Sequence, residues 1–184
     1  DQDSLARTRE RSGLDPEEAY LRAVASTERG IAAGLESARM YCNLALAQQS
    51  LALARAARGR SDGDLTETAL ANYARALDLD PGFHMARANR GTLFGNLAYW
   101  KVEQGQNAAA DLKRALTDFD AVLAAEPGHG DALLNRGMVL ATQARMEWAA
   151  GRDPRALLDR AMADFDAALA GNPDAVQAMA GRAM

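Results

Sequence analysis

The sequence predicts an all-α fold, and two observations support this class. Alanine, the strongest helix former, occupies 42 of the 184 positions, whereas aromatic residues make up only 5% and β-branched residues are scarce. A block of residues also recurs at a fixed spacing, since Pro81, Pro127 and Pro173 are each 46 residues apart. Repeats of this length are typical of arrays built from pairs of helices.

The 46-residue spacing extends to many other positions. It relates Leu77, Leu123 and Leu169; Tyr73, Phe119 and Phe165; Ala69, Ala115 and Ala161; Asn43, Asn89 and Asn135; and Gly13, Gly59, Gly105 and Gly151. Each block predicts two helices, because its apolar residues recur at steps of three and four. The first helices of the blocks, called A, are expected at about 35–58, 83–104 and 129–150. The second helices, called B, are expected at about 16–33, 62–79, 108–125 and 154–171.

Residues with known local preferences predict where these helices begin and end. Asp15-Pro16 begins the first helix B, because Asp caps an amino terminus and Pro suits the first turn. Gly105 provides the left-handed residue that ends a helix A, and Asn107 caps the helix B that follows. Pro127 ends that helix, since proline cannot continue a helix and disfavours it in the preceding residue.

Composition argues against several classes of function. The formal charge is −4, with 25 acidic and 21 basic residues interspersed, which argues against a nucleic-acid partner. The longest uncharged stretch, 40–54, has 15 residues and is too short and polar to span a membrane. Cys42 is the only cysteine, so no internal disulfide is expected, and a reducing, cytoplasmic location fits.

The residues that could support catalysis form no recognisable site. His84 and His129 are the only histidines, and neither is placed opposite Cys42 or a suitable serine. Gly91 and Gly95 match neither a phosphate-binding loop nor a dinucleotide-binding pattern. We therefore expect no enzymatic activity, no cofactor and no metal site.

The repeated residues resemble the tetratricopeptide repeat (TPR), whose signature is W-x2-L-G-x2-Y, then A-x3-F, then P. The counterparts here are Arg87-x2-Arg90-Gly91-x2-Phe94, then Ala115-x3-Phe119, then Pro127. The family period is about 34 residues, so each hairpin here is about 12 residues longer, and the extra residues lie at the elbow between helices A and B.

The resemblance implies an alpha-alpha superhelix of antiparallel helix hairpins. It implies a single repeat domain over 1–184, with a helix tail at 1–12 and hairpins at about 16–58, 62–104, 108–150 and 154–184. Repeat arrays bury each unit against its neighbour. Apolar residues near the two ends, Leu5 and Tyr20 at one and Val176 and Met179 at the other, therefore predict end-to-end self-association or a longer array.

Arginine replaces the family's leucine at Arg90, Arg136 and Arg182. The repeats with Arg90 and Arg136 also carry aspartates on helix B, whereas the repeat with Leu44 has Asn72 and Ala74. The aspartates are Asp118, Asp120, Asp164 and Asp166. Because the charges change together, we expect ion pairs between packed helices; a ligand-binding row of arginines is the alternative. Small residues at 45, 91 and 137 are expected where helices A and B cross.

The row Asn43, Asn89 and Asn135 is the candidate binding site. Asparagine is a poor residue for mid-helix, and the resemblance places this row on a concave groove, where an amide can bind the backbone of a peptide. The alternative is that these amides only bond neighbouring helices. The other groove residues that the resemblance implies are Arg39, Leu46, Met85, Thr92, Asn96, Asp131 and Met138, together with Cys42 and Gln49.

The resemblance implies a protein–protein interaction scaffold that binds a peptide or protein segment without catalysis. The alternative is a regulatory or sensor portion of a larger bacterial enzyme. Two short motifs, Asn89-Arg90-Gly91 and Asp118-Phe119-Asp120, are similar to motifs in repeat arrays attached to bacterial serine/threonine kinases. Trp100 and Trp148 are 48 residues apart and so out of register. We expect them to pack inside the lengthened hairpins rather than to form a ligand cage.

Overall fold

The computed structural model describes residues 15–60 and 63–171, which form seven helices. Their bounds are α1 Pro16–Ala32, α2 Ala38–Ala56, α3 Gly63–Leu79, α4 His84–Glu103, α5 Ala109–Ala125, α6 Gly130–Ala149 and α7 Arg155–Gly171. No strand occurs in the two described ranges, so the all-α class is confirmed. The helix tail expected at 1–12, the segment 174–184 and the end residues Leu5, Val176, Met179 and Arg182 lie outside the described residues.

The described residues divide into two compact units, one ending at Ala86 and the other beginning at Arg87. The first unit holds α1 to α3, and α1 and α3 both pack on α2. The second unit holds most of α4 together with α5 to α7, and α5 and α7 both pack on α6. None of the helices in the described ranges is long and apolar enough to cross a membrane.

The helix ends follow the predicted local chemistry. The carboxylate of Asp15 accepts a hydrogen bond of 3.1 Å from the N–H of Glu17, and Pro16 is the first residue of α1. The side-chain oxygen of Asn107 accepts a 2.9 Å bond from the N–H of Ala109, where α5 begins. Gly105 has a φ of 67°, a left-handed conformation that favours glycine, and it ends α4 as predicted.

The expected start of the first helix A, at about residue 35, is wrong by three residues. Gly34 has a φ of 87°, a left-handed conformation that follows the end of α1, and Ser37 is extended. The hydroxyl of Ser37 then accepts a 3.2 Å bond from the N–H of Met40 and caps α2. A serine cap three residues after the glycine therefore decides where α2 begins.

A buried aromatic ring marks each helix crossing, as the small residues at 45, 91 and 137 predicted. In the first unit Ala45 and Tyr73 are both fully buried. In the second unit a Cβ on Gly91 would lie 3.1 Å from Cζ of Phe119, and a Cβ on Gly137 would lie 2.5 Å from Cε1 of Phe165. A side chain at Gly137 would therefore clash with the ring of Phe165, whereas one at Gly91 would make a tight contact with Phe119.

The hydroxyl of Tyr73 also has a partner. It donates a hydrogen bond of 2.9 Å to Oε1 of Gln49, which is itself buried. Burial of the ring raises the pKa of the phenol, and the neighbouring Cys42 raises it further. Tyr73 is therefore a neutral hydrogen-bond donor in the core of the first unit.

The predicted ion pairs between packed helices are confirmed in the second unit. Nε and Nη2 of Arg90 donate to the two carboxylate oxygens of Asp118, at 2.8 and 2.7 Å. Arg136 binds Asp164 in the same way, at the same two distances. In the first unit Leu44 is buried instead, and Asn72 donates a 2.8 Å bond to Gln48. An ion pair thus joins the two helices where arginine is present, and a hydrogen bond between side-chain amides joins them where it is not.

Candidate binding cavity in the second unit

A cavity of about 740 Å³ lies among α4, α6 and the beginning of α7, wholly within the second unit. Its walls are mostly apolar, with a few amide and hydroxyl groups. The lining residues are Thr92, Gly95, Asn96, Tyr99, Phe119, Asn135, Met138, Val139, Ala141, Thr142, Ala144, Arg145, Trp148, Pro154 and Leu158. Concave apolar sites of this size with few polar groups are typical of ligand binding.

One side of the cavity is formed where α4 and α6 approach each other at Gly95 and Val139. A Cβ placed on Gly95 would lie only 2.8 Å from Cγ2 of Val139, so the absence of a side chain at Gly95 allows this approach. Val139 is buried, and so is the ring of Phe119 from α5. The packing of the hairpins therefore sets the depth of the cavity.

Asn135 provides the central polar group. Its Nδ2 donates a 3.3 Å hydrogen bond to the hydroxyl of Thr92, which donates in turn to the backbone oxygen of Ala88 at 3.0 Å. The amide is half-buried, and its Oδ1 bonds no other described residue. Asn135 thus forms a hydrogen bond to a neighbouring helix, as the alternative role of the asparagine row predicted. Its Oδ1 still has no hydrogen-bond donor among the described residues, and Asn135 lines the cavity.

Aromatic rings and one cation form the end of the cavity near the elbow. Trp148 is 71% exposed, and Tyr99 is 45% exposed. The guanidinium carbon of Arg145 lies 5.6 Å from the centroid of the Tyr99 ring, and Arg145 also bonds Glu103. Tyr99 contacts Trp100 edge to face, with 5.9 Å between the ring centroids.

The expectation that both tryptophans pack inside the lengthened hairpins is wrong. Trp100 is 55% exposed and Trp148 is 71% exposed, and Trp148 lines the cavity with Pro154 and Leu158. Both residues lie in the last two turns of a helix A. The positions equivalent to them one period away, Met146 and Val102, are only half-buried, so the repeat provides no buried site for a large ring at either position.

Most of the residues predicted to line a groove are accessible, but only some lie at the cavity. Thr92, Asn96, Asn135 and Met138 line it. Asn89 is half-buried and Asp131 is exposed, and neither belongs to the lining. In the first unit Arg39, Asn43, Leu46 and Met85 are exposed at the surface.

Two residues that the resemblance placed on the same face are buried instead. Cys42 is 1% exposed and packs as a small residue of the core, and Gln49 is 7% exposed. Gln49 turns inward because its amide oxygen accepts the hydroxyl of Tyr73. The family signature has phenylalanine at the position of Tyr73 and so contains no hydroxyl group there. The hydrogen bond from the Tyr73 hydroxyl therefore decides the orientation of Gln49.

Sequence reasoning missed the elbow end of the cavity. The missed residues are Tyr99, Arg145, Trp148, Pro154 and Leu158. All of them lie in or beside the 12 or so residues by which each hairpin exceeds the family length. Two out-of-register tryptophans in that added stretch were the available signal.

Comparison with known proteins agrees with the helical-repeat architecture. One similar solved structure is YrrB, reported as a TPR protein with an unusual peptide-binding site. Its TM-score is 0.63 at 23% sequence identity, over 91% of this chain and 68% of that chain. No family model and no curated protein matches the sequence. The chain is therefore similar in fold to a TPR protein, and its class, the alpha-alpha superhelix of helix hairpins, is the one predicted.

Proposed function

We propose that this chain is a protein-interaction module that binds a peptide or protein segment in the cavity among α4, α6 and α7. The observation that carries the proposal is the cavity itself, whose apolar walls surround a small number of amide and hydroxyl groups. The likeness in fold to YrrB, whose reported peptide-binding site is called unusual, supports the same class of ligand. No catalytic step is proposed.

The polar groups at the cavity suit the backbone of an extended or helical segment. The Oδ1 of Asn135 can accept an N–H, and the amide of Asn96 can both donate and accept. Because amides bind main chain without demanding a particular side chain, they position a ligand rather than select its sequence. Met138, which is 49% exposed, offers a flexible apolar contact beside them.

We further propose that the hairpins are a long variant of the tetratricopeptide repeat. The spacing of helix starts supports this, because α3, α5 and α7 begin at residues 63, 109 and 155, and α4 and α6 begin at 84 and 130. In this proposal Asn89, which lies one turn before Thr92 on α4, is a further ligand contact. The extra turns lengthen the hairpin stem and create the elbow end of the cavity.

Peptide selection followed by calorimetry tests the proposed function. Peptides of about 12 residues are selected by phage display on the whole chain, and their affinity is measured by isothermal titration. Asn135→Ala should weaken binding by about 1 to 3 kcal/mol, because an N–H of the bound backbone loses its acceptor. The matched control is Asp131→Asn on the same helix, which is exposed and outside the lining.

Two results would contradict the proposal. One is a failure to select any peptide that binds the purified chain in titration. The other is a selected peptide that binds equally well to the wild type and to variants of every lining residue tested, which would place the ligand elsewhere on the surface.

A further inference from the structure

The elbow end of the cavity differs in chemistry from the rest. Its residues, here called the elbow subsite, lie in the last turns of α4 and α6 and at the start of α7. They are Tyr99, Arg145, Trp148, Pro154 and Leu158. The amide and hydroxyl groups of Thr92, Asn96 and Asn135 lie in the earlier turns of α4 and α6. The subsite therefore adds exposed aromatic rings and a charged group, which the amide part of the cavity lacks.

Large apolar surfaces face solvent together at the subsite. Trp148 is 71% exposed, Tyr99 45% and Leu158 41%. Single exposed apolar residues are ordinary, but a contiguous set that also lines a concave cavity marks an interaction site. Tryptophan and tyrosine are moreover the residue types that contribute most to binding when a partner covers them. A large apolar side chain of a ligand matches this surface.

Among the described residues, Arg145 is the only charged one that lines the cavity. Its guanidinium is held over the ring of Tyr99 and bonds Glu103. Both members of the pair with Glu103 are well exposed, at 48% and 39%, so the pair is weak and can exchange partners. A guanidinium has five N–H donors, and Glu103 takes one of them, so donors remain for a second carboxylate.

We propose that the elbow subsite binds a large apolar side chain of the ligand against Trp148 and an acidic side chain of the same ligand on Arg145. The charge of the cavity selects this partner, because one cation, in a lining whose other described residues are uncharged, complements one carboxylate. Arg145 and Trp148 are three residues apart on α6 and so share a face of the helix. The partner is therefore an amphipathic segment with an acidic residue near its apolar anchor, an inference that rests on the proposed function.

The first experiment uses the peptides selected on the whole chain and measures their affinity by isothermal titration. Trp148→Ala should lower the affinity by about tenfold or more, as expected for an aromatic side chain that the bound ligand covers. Trp100→Phe is the control: it changes the other exposed tryptophan, on α4 and outside the lining, and keeps an aromatic ring beside Tyr99. It should change the affinity by less than about twofold. Circular dichroism checks that each variant is folded.

The second experiment tests the carboxylate through a double-mutant cycle. Changing the acidic residue of the peptide to its amide should weaken binding to the wild type by about fivefold or more. The same change should have no effect on Arg145→Gln, because the cation that the acid contacts is then absent. In Trp100→Phe, Trp148 is the only tryptophan, and bound peptide should shift its emission to shorter wavelength and protect it from acrylamide.

The outcomes separate the subsite from the proposed function. Peptides that lose affinity in Asn135→Ala but not in Trp148→Ala would overturn the subsite and leave the function standing. Selected peptides without an acidic residue, or an unchanged affinity after the acid-to-amide change, would overturn the role of Arg145. If no peptide binds while the apolar dye ANS (anilinonaphthalenesulfonate) does, the cavity is a small-molecule site, and both proposals are wrong.

Discussion

Arg136 binds Asp164 through two parallel hydrogen bonds, of 2.8 Å from Nε and 2.7 Å from Nη2, and its Nη1 bonds Asp120 at 2.8 Å. One guanidinium on α6 therefore joins α5 and α7. Asp164 is only 6% exposed, whereas the side chain of Asp120 is 54% exposed. The hydrogen bonds to Asp164, and to a smaller extent those to Asp120, raise the pKa of Arg136 above its ordinary value, so the arginine stays charged at every accessible pH.

Removal of the arginine should be strongly destabilising. In Arg136→Leu the buried carboxylate of Asp164 loses its partner, so we expect the free energy of unfolding to fall by about 3 to 5 kcal/mol. Urea denaturation followed by circular dichroism measures the change. The double variant Arg136→Leu/Asp164→Leu should recover most of the loss, because no buried charge is then left alone.

An exposed ion pair provides the control for this prediction. Arg22 and Glu18 pair across one turn of α1, with side chains 64% and 51% exposed. Arg22→Leu should change stability by less than about 0.5 kcal/mol. An Arg136→Leu protein as stable as its parent would show that the pair with Asp164 contributes nothing.

A side chain at Gly137 should disrupt the crossing of α6 and α7. In Gly137→Ala the new Cβ would meet the ring of Phe165 at 2.5 Å, so the helices must separate, at a cost of about 1 to 3 kcal/mol. Gly130→Ala is the control on the same helix, because no atom lies within 4 Å of its Cβ position. Thermal unfolding should show a lower midpoint for Gly137→Ala only, and equal midpoints would disprove the contact.

The buried bond between Tyr73 and Gln49 should stabilise the first unit. Tyr73→Phe leaves Oε1 of Gln49 without its donor inside the core, which should cost about 1 to 3 kcal/mol. Two periods further along the chain, the residues equivalent to Tyr73 and Gln49 are Phe165 and Ala141. The double variant Tyr73→Phe/Gln49→Ala therefore introduces a combination that the chain already uses. The double variant should lose less stability in urea than the sum of the two single variants; a strictly additive loss would argue against the bond.

Stability should depend on pH through Glu17, which joins α1 to α2. Hydrogen bonds from Arg60 and Arg55 lower the pKa of Glu17 below its ordinary value of 4.5. Because the folded state holds the carboxylate charged, the contribution of Glu17 is present above that ordinary pKa and is lost as the pH falls through the lowered value. The stability difference between wild type and Glu17→Gln should therefore be largest near neutral pH and shrink on acidification.

The control for the pH prediction is Glu18→Gln, since Glu18 is exposed and pairs only with Arg22 among the described residues. Denaturant unfolding at a series of pH values compares the two variants. A Glu17→Gln difference that stays constant down to strongly acidic pH would contradict the assignment to ionisation.

The helix positions could be predicted because their determinants are local. Gly105, Asn107 and Pro16 act on the backbone within one or two residues of themselves, so a repeated spacing of such residues predicts repeated helix ends. The pairs of Arg90 with Asp118 and Arg136 with Asp164 were predictable for a related reason. The arginine and the aspartate occur in the same repeats and are both replaced, by Leu44 and Asn72, in the first repeat. Two positions that change together in this way are expected to lie in contact where the two helices pack.

The orientation of side chains outside the repeat was not predictable. Gln49 shares a face with exposed residues in the family pattern, yet it turns inward to accept the hydroxyl of Tyr73. Trp148 has no counterpart one period away, so nothing in the spacing indicates which side of α6 it occupies. Asn135 bonds Thr92 from another hairpin, a contact that depends on how closely α4 and α6 approach.

The sequence by itself determined an all-α chain of helix hairpins, their approximate bounds and the ion pairs between them, because caps, breakers and the repeat spacing act over short distances or recur in register. Only the tertiary structure decided that a cavity of about 740 Å³ opens between α4 and α6, and that Trp148 and Arg145 stand at its elbow end. The size of a cavity depends on the separation of two helices along their whole length. That separation is set by many contacts together, such as the side chain of Val139 against the backbone of Gly95, and no single pattern of residues encodes it.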